Sequence, residues 1–85
     1  MEGRARAAAE EAIRALGRDD PASARTFMAE ATAIDPGLGP LADIVHLACQ
    51  ELESDGEVTT STWNALADAV AAEGMLAVVE GVRTR

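Results

Sequence analysis

The chain has 85 residues, enough for one domain and near the lower limit for a fold without a disulfide or metal staple. Its single cysteine, Cys49, excludes an intramolecular disulfide, and no apolar run approaches the roughly 18 residues that cross a bilayer. A formal net charge of −8 repels phosphate backbones and anionic lipid heads, which argues against nucleic acid and membranes as partners.

The first predicted helix covers residues 4–16. Ala5, Ala9, Ala12, Ile13 and Leu16 fall on one stripe at helical spacing, with Arg6, Glu10, Glu11 and Arg14 mostly outside it. Gly17 is placed to end this helix. Asp20 as N-cap, with Pro21 at the first helical position, starts a second helix over 21–34. Its buried face is Ala24, Phe27, Met28, Ala31 and Ile34. Pro36 and the Gly37-Leu38-Gly39-Pro40 stretch stop it, and Pro40 opens a third helix over 40–53. Leu41, Ile44, Val45, Ala48 and Leu52 form the apolar stripe there, while Asp43, His46, Gln50 and Glu53 project the other way. Residues 54–57 form a turn. Thr59 is a good N-cap for a fourth helix over 60–73, and Val58 can staple against Trp63. Trp63, Leu66, Ala67 and Val70 point inward, with Trp63 expected to be the most buried large side chain. Gly74 terminates that helix, and residues 75–82 form a short fifth one, apolar on more than one side.

These elements predict an all-α fold: one domain over residues 1–85, a compact antiparallel bundle of four helices with a short fifth C-terminal helix. The 19 alanines require helices that approach closely, because small side chains fill little space between distant axes. Such a core gains from extra burial by self-association. The tail supplies the residues for it: Met75, Leu76, Val79 and Val82 are the expected interaction surface of a homodimer, unless the tail folds back to complete the monomer's own core.

Charge is unevenly distributed. Five of the seven arginines (Arg4, Arg6, Arg14, Arg18 and Arg25) lie in the first 25 residues, whereas residues 26–82 hold ten acids and no Lys or Arg. A protein partner with a basic or apolar surface, or the arginine-bearing end of a second copy, is electrostatically admissible. Nothing points to catalysis. Ser23, Ser54, Ser61 and the threonines sit at helix starts or turns, where capping accounts for them. His46 and Cys49 stand three apart on one helix, but a closed zinc site needs further ligands that the chain's only His and Cys cannot supply. His46 reads as a polar surface residue and Cys49 as a small hydrophobe. No catalytic residue, cofactor or phosphate loop is expected. The opening Met1-Glu2-Gly3-Arg4 has no apolar signal core, so a reducing, cytoplasmic location is the default.

Two stretches resemble known families. In residues 5–36, Ala24, Met28, Ala31 and Pro36 occupy the spacing of the second helix of a tetratricopeptide hairpin, and Ala33-Ile34-Asp35-Pro36 is similar to that family's ending. The first-helix signature is missing. The resemblance implies a scaffold for protein contacts. In residues 51–62, Glu51, Glu53 and Asp55 stand at the first, third and fifth positions of an EF-hand-like loop, with Gly56 at its turn and Thr59 at its ninth. The resemblance implies a calcium site with Glu51, Glu53, Asp55 and Thr59 as ligands. Thr62 at the twelfth position cannot supply the bidentate carboxylate, and an N-capped acidic turn accounts for the same residues. The expected function is therefore a non-enzymatic protein-interaction or self-association module, with weak cation binding by residues 51–59 as the alternative.

Overall fold

The computed structural model describes residues 3–83. They form five α-helices, α1 (Gly3–Gly17), α2 (Pro21–Ile34), α3 (Gly39–Asp55), α4 (Thr60–Ala71) and α5 (Leu76–Arg83), with a 3-10 turn, Pro36–Leu38, before α3. No strand occurs among the described residues, so the fold is all-α.

The helix ends follow from local chemistry. Asp20 accepts a hydrogen bond from the Ser23 N–H at 3.1 Å and Pro21 occupies the first turn, which starts α2. Asp35 ends α2, and its carboxylate takes the Gly37 N–H at 3.0 Å to begin the 3-10 turn that the sequence reading lacked. Thr59 caps α4 by accepting the Thr62 N–H at 3.2 Å. Gly74, at φ +75°, lets the chain reverse from α4 into α5, with the Met75 N–H bonded to the Val70 carbonyl at 3.1 Å.

Gly17 ends α1 as expected, though not through a left-handed backbone. The left-handed residue after α1 is Asp19, at φ +56°, one of the few non-glycine types that tolerate this region. Gly17 has a second role, since a Cβ added there would lie 2.6 Å from Cγ1 of Val82. The missing side chain is what allows α5 to seat on the end of α1.

α1 lies at the centre of the packing, against α2, α3 and α5, and the contacts α2–α3, α3–α4 and α4–α5 close the ring around the core. Ala8 and Ala15 are buried in addition to Ala5, Ala9, Ala12, Ile13 and Leu16, so α1 shows solvent little more than its charged strip. That strip is laced by Arg6–Glu10 at 3.1 Å and Arg14–Glu11 at 2.8 Å. The Cα radius of gyration is 11.2 Å, against about 12 Å for a compact chain of this length. No helix among the described residues is long and apolar enough to cross a membrane.

The inward stripe of α4 departs from expectation. It is Thr62, Leu66 and Val70, all buried, and Trp63 is only partly buried against the core. One residue is 100° of rotation. Leu66 and Val70 belong to both stripes, so a turn of about half that amount brings Thr62 in, with its hydroxyl 2.8 Å from the Glu51 carboxylate, and leaves the indole at the bundle's edge.

Candidate functional site

The acidic turn is tied into the fold rather than gathered around a point. The Glu51 carboxylate accepts the Thr59 N–H at 3.0 Å, the Thr62 hydroxyl at 2.8 Å and the Thr59 hydroxyl at 3.3 Å. It thus takes the place that a glutamate three residues into the helix holds in a capping box, but from another helix. Partial desolvation pushes the Glu51 pKa up, and the hydrogen bonds from Thr59 and Thr62 outweigh it, leaving the group below the ordinary carboxylate value. Glu53 points the other way, to α2, where Arg25 grips both oxygens at 2.6 and 2.7 Å. That bond holds the Glu53 pKa below, and the Arg25 pKa above, their ordinary values. Asp55 is exposed. The four residues that the loop spacing suggested as ligands are therefore not brought together: Glu51 and Thr59 join α3 to α4, and Glu53 joins α3 to α2. Among the described residues, no three His, Cys, Asp or Glu side chains form a group that suits a metal ion.

The tail also differs from its expected role as a surface. Met75, Val79 and Val82 are 1%, 0% and 7% exposed, all within the monomer's own core. The physical reason is the α5 register. These residues recur at intervals of four and three, so one face of the helix gathers them and the notch at Gly17 receives Val82. Leu76 lies outside the described side chains. Arg6 fixes the turn before α5, donating from Nη2 to the Gly74 carbonyl at 2.7 Å.

His46 is exposed on α3 and Cys49 is buried, so the pair does not share an environment. Burial pushes the Cys49 thiol pKa up, and Sγ lies 3.6 Å from the Pro21 carbonyl, to which it donates. Leu47, 46% exposed on α3, is the large apolar side chain most open to solvent among the described residues.

Among the described residues, three of the clefts are shallow and open, of about 230 to 300 Å³. One runs between α1 and α5, lined by Arg14, Ala77, Val78, Gly81 and Val82. A second lies between α1 and α2, where Phe27 stands among Arg4, Ala7, Ala8, Glu11 and Glu30. The third, of about 230 Å³, opens at the end of the bundle where α1, the α3–α4 turn and α5 meet. Its apolar walls are Leu16, Leu52, Val58, Trp63 and Val82, and Asp19 and Glu57 stand with them. Both acids are exposed. Of these three, this cleft combines a large aromatic surface with carboxylates unopposed by any base in its lining.

Sequence reasoning missed this site because it assigned Trp63 to the core. The available signal was Thr62, whose position four residues before Leu66 and eight before Val70 makes the buried stripe without Trp63. The chain shows no significant match to any protein-family model, curated protein or solved structure.

Proposed function

We propose that this domain is a non-enzymatic protein-interaction module that docks a basic, partly apolar partner segment at the Trp63 cleft. The observation that carries the reading is the placement of the only tryptophan, partly exposed in an open cleft with Asp19 and Glu57. Tryptophan is an effective interface anchor, offering a large apolar face with a polar N–H. The charge pattern supports the same partner class, since residues 26–82 carry ten acids and no Lys or Arg. The apolar tail that suggested a homodimer is engaged inside the monomer, which favours a different protein as partner. The hydroxyls bonded to the Glu51 carboxylate, on Thr59 and Thr62, are engaged in the α4 cap, which supports a role other than catalysis. A reducing, cytoplasmic setting belongs to this reading, because the single thiol has no intramolecular partner cysteine.

The test is a peptide array probed with the tagged domain, comparing basic–apolar, neutral and acidic segments. Basic–apolar peptides should retain the domain, and Trp63→Ala should abolish retention while circular dichroism stays helical. Equal retention across the three classes, or binding unaffected by Trp63→Ala, contradicts the proposal.

A further inference from the structure

Resting on the interaction reading above, we infer that the Trp63 cleft is an arginine-recognising subsite: it takes one arginine side chain of the partner, stem against the indole and guanidinium between Asp19 and Glu57.

Size sets the first limit. At about 230 Å³ the cleft falls below the about 300–1,000 Å³ usual for small-molecule sites, and it suits a single side chain. Its chemistry sets the second. Leu52, Val58 and Trp63 form walls for an aliphatic or planar group, while the carboxylates call for a cation. A long basic side chain has both parts in the right order, apolar stem first and charged head last.

The carboxylates are placed for a guest. Among the described residues no hydrogen bond or ion pair engages the side chain of Asp19 or Glu57, in contrast to Glu10, Glu11 and Glu53, which pair with arginines of this chain. Asp19 is also held firmly. Its N–H bonds to the Leu16 carbonyl at 3.2 Å, and the following Asp20 N–H bonds to Ala15 at 3.0 Å.

Arginine fits better than lysine on two counts. The planar guanidinium presents a fork of N–H groups that can serve two carboxylates at once, which a compact ammonium does not offer in a fixed geometry. It is also more weakly hydrated than an ammonium, so entering a cleft with apolar walls costs it less.

The sole tryptophan is a fluorescence reporter inside the cleft. Short, neutral, end-capped peptides that differ only at one central position, carrying arginine, lysine, citrulline or norleucine, should be titrated against the intact chain. The arginine peptide should bind tightest and shift the Trp63 emission. Lysine should bind about three- to tenfold more weakly, and citrulline and norleucine more weakly still. Asp19→Asn and Glu57→Gln keep the reporter and should each weaken arginine binding by about threefold or more, with raised salt acting in the same direction. Equal binding of arginine and citrulline, or of arginine and lysine, overturns the inference. If basic–apolar peptides are retained on the array but the arginine peptide leaves Trp63 emission unchanged, the subsite is refuted and the interaction reading stands. If neither experiment shows binding, both fail. Dimerisation of the free domain that Asp19→Asn abolishes would make the guest a second copy's arginine and overturn its assignment to a different partner.

Discussion

α1 and α2 meet through small side chains. Ala8 lines a cleft with Phe27 of α2, and Ala12 and Ala15 continue its stripe at intervals of four and three, all of them buried. For its part α2 buries Ala24, Met28 and Ala31. α3 and α4 meet differently. Their core residues include Leu41, Val45, Leu66 and Val70, and the start of α4 is fastened by the Glu51 carboxylate to Thr59 and Thr62. Closely approaching backbones need no polar fastening, because dispersion acts along the whole interface. A helix that begins at an exposed turn leaves backbone N–H groups without partners, and a carboxylate from the neighbouring helix supplies the acceptor. The same hairpin topology is thus closed once by close packing and once by larger apolar side chains with a polar clamp. The open cleft lies where the clamped pair meets the end of α1.

The two modes of closure should fail in opposite ways. The largest expected effect is in the clamped pair: Leu66→Ala should cost about 2–5 kcal/mol, a large part of the about 5–15 kcal/mol that holds a small domain folded. Urea denaturation measures it. In the close-packed pair the damaging change is enlargement, not truncation. Ala12→Leu should cost about 1–3 kcal/mol by overfilling the fully buried face of α1. If Ala12→Leu proves neutral, the alanine interface is looser than its burial implies.

Trp63→Ala comes next. A fully buried tryptophan would cost about 3–5 kcal/mol, but this one is partly exposed, so about 1–2 kcal/mol is expected. A larger loss would restore Trp63 to the core and weaken the cleft as a docking site. Glu51→Ala removes the remote partner of the α4 cap, leaving Thr59 to cap alone. By analogy with other lost caps it should cost about 1 kcal/mol, with hydrogen exchange rising first at the start of α4.

Helix-forming patterns and local caps were legible in the sequence; what lay across the chain was not. Asp20 and Thr59 announce their helices because an N-cap acts on residues two or three further along. The face that α4 presents depends on Glu51, eleven residues before Thr62, and on whether a threonine or a tryptophan better satisfies that end of the bundle. Alternate acids before a glycine suggested a shared cation, yet side chains two apart on a helix diverge by about 200°, and each found a different helix. For the tail, the apolar run is plain in the sequence, but the notch that receives it is an absence of atoms at Gly17, 65 positions away from Val82.

The smallest predicted effect separates the two caps by pH. Asp20, at the start of α2, has its pKa lowered by its hydrogen bonds to Ser23, and Glu51 has its pKa lowered by Thr59 and Thr62 despite partial desolvation. A carboxylate with a lowered folded pKa contributes stability that is present above its unfolded value and lost as pH falls through the folded one. Both caps should therefore weaken on acidification below the ordinary carboxylate range, and neither should respond between neutral pH and that range. Their amides should behave differently. Asparagine caps a helix about as well as aspartate, so Asp20→Asn should keep neutral-pH stability and flatten part of the acid dependence. Glu51→Gln keeps an oxygen for one donor but brings its own N–H₂ toward hydroxyls and an N–H that were donating to the carboxylate. It should flatten the acid dependence and also lower stability at neutral pH. Thermal melts of wild type and both variants across the acid range decide the matter. If Glu51→Gln is as stable as wild type at neutral pH, the carboxylate is not what holds α4 to α3, and the contrast between the two hairpins rests on packing alone.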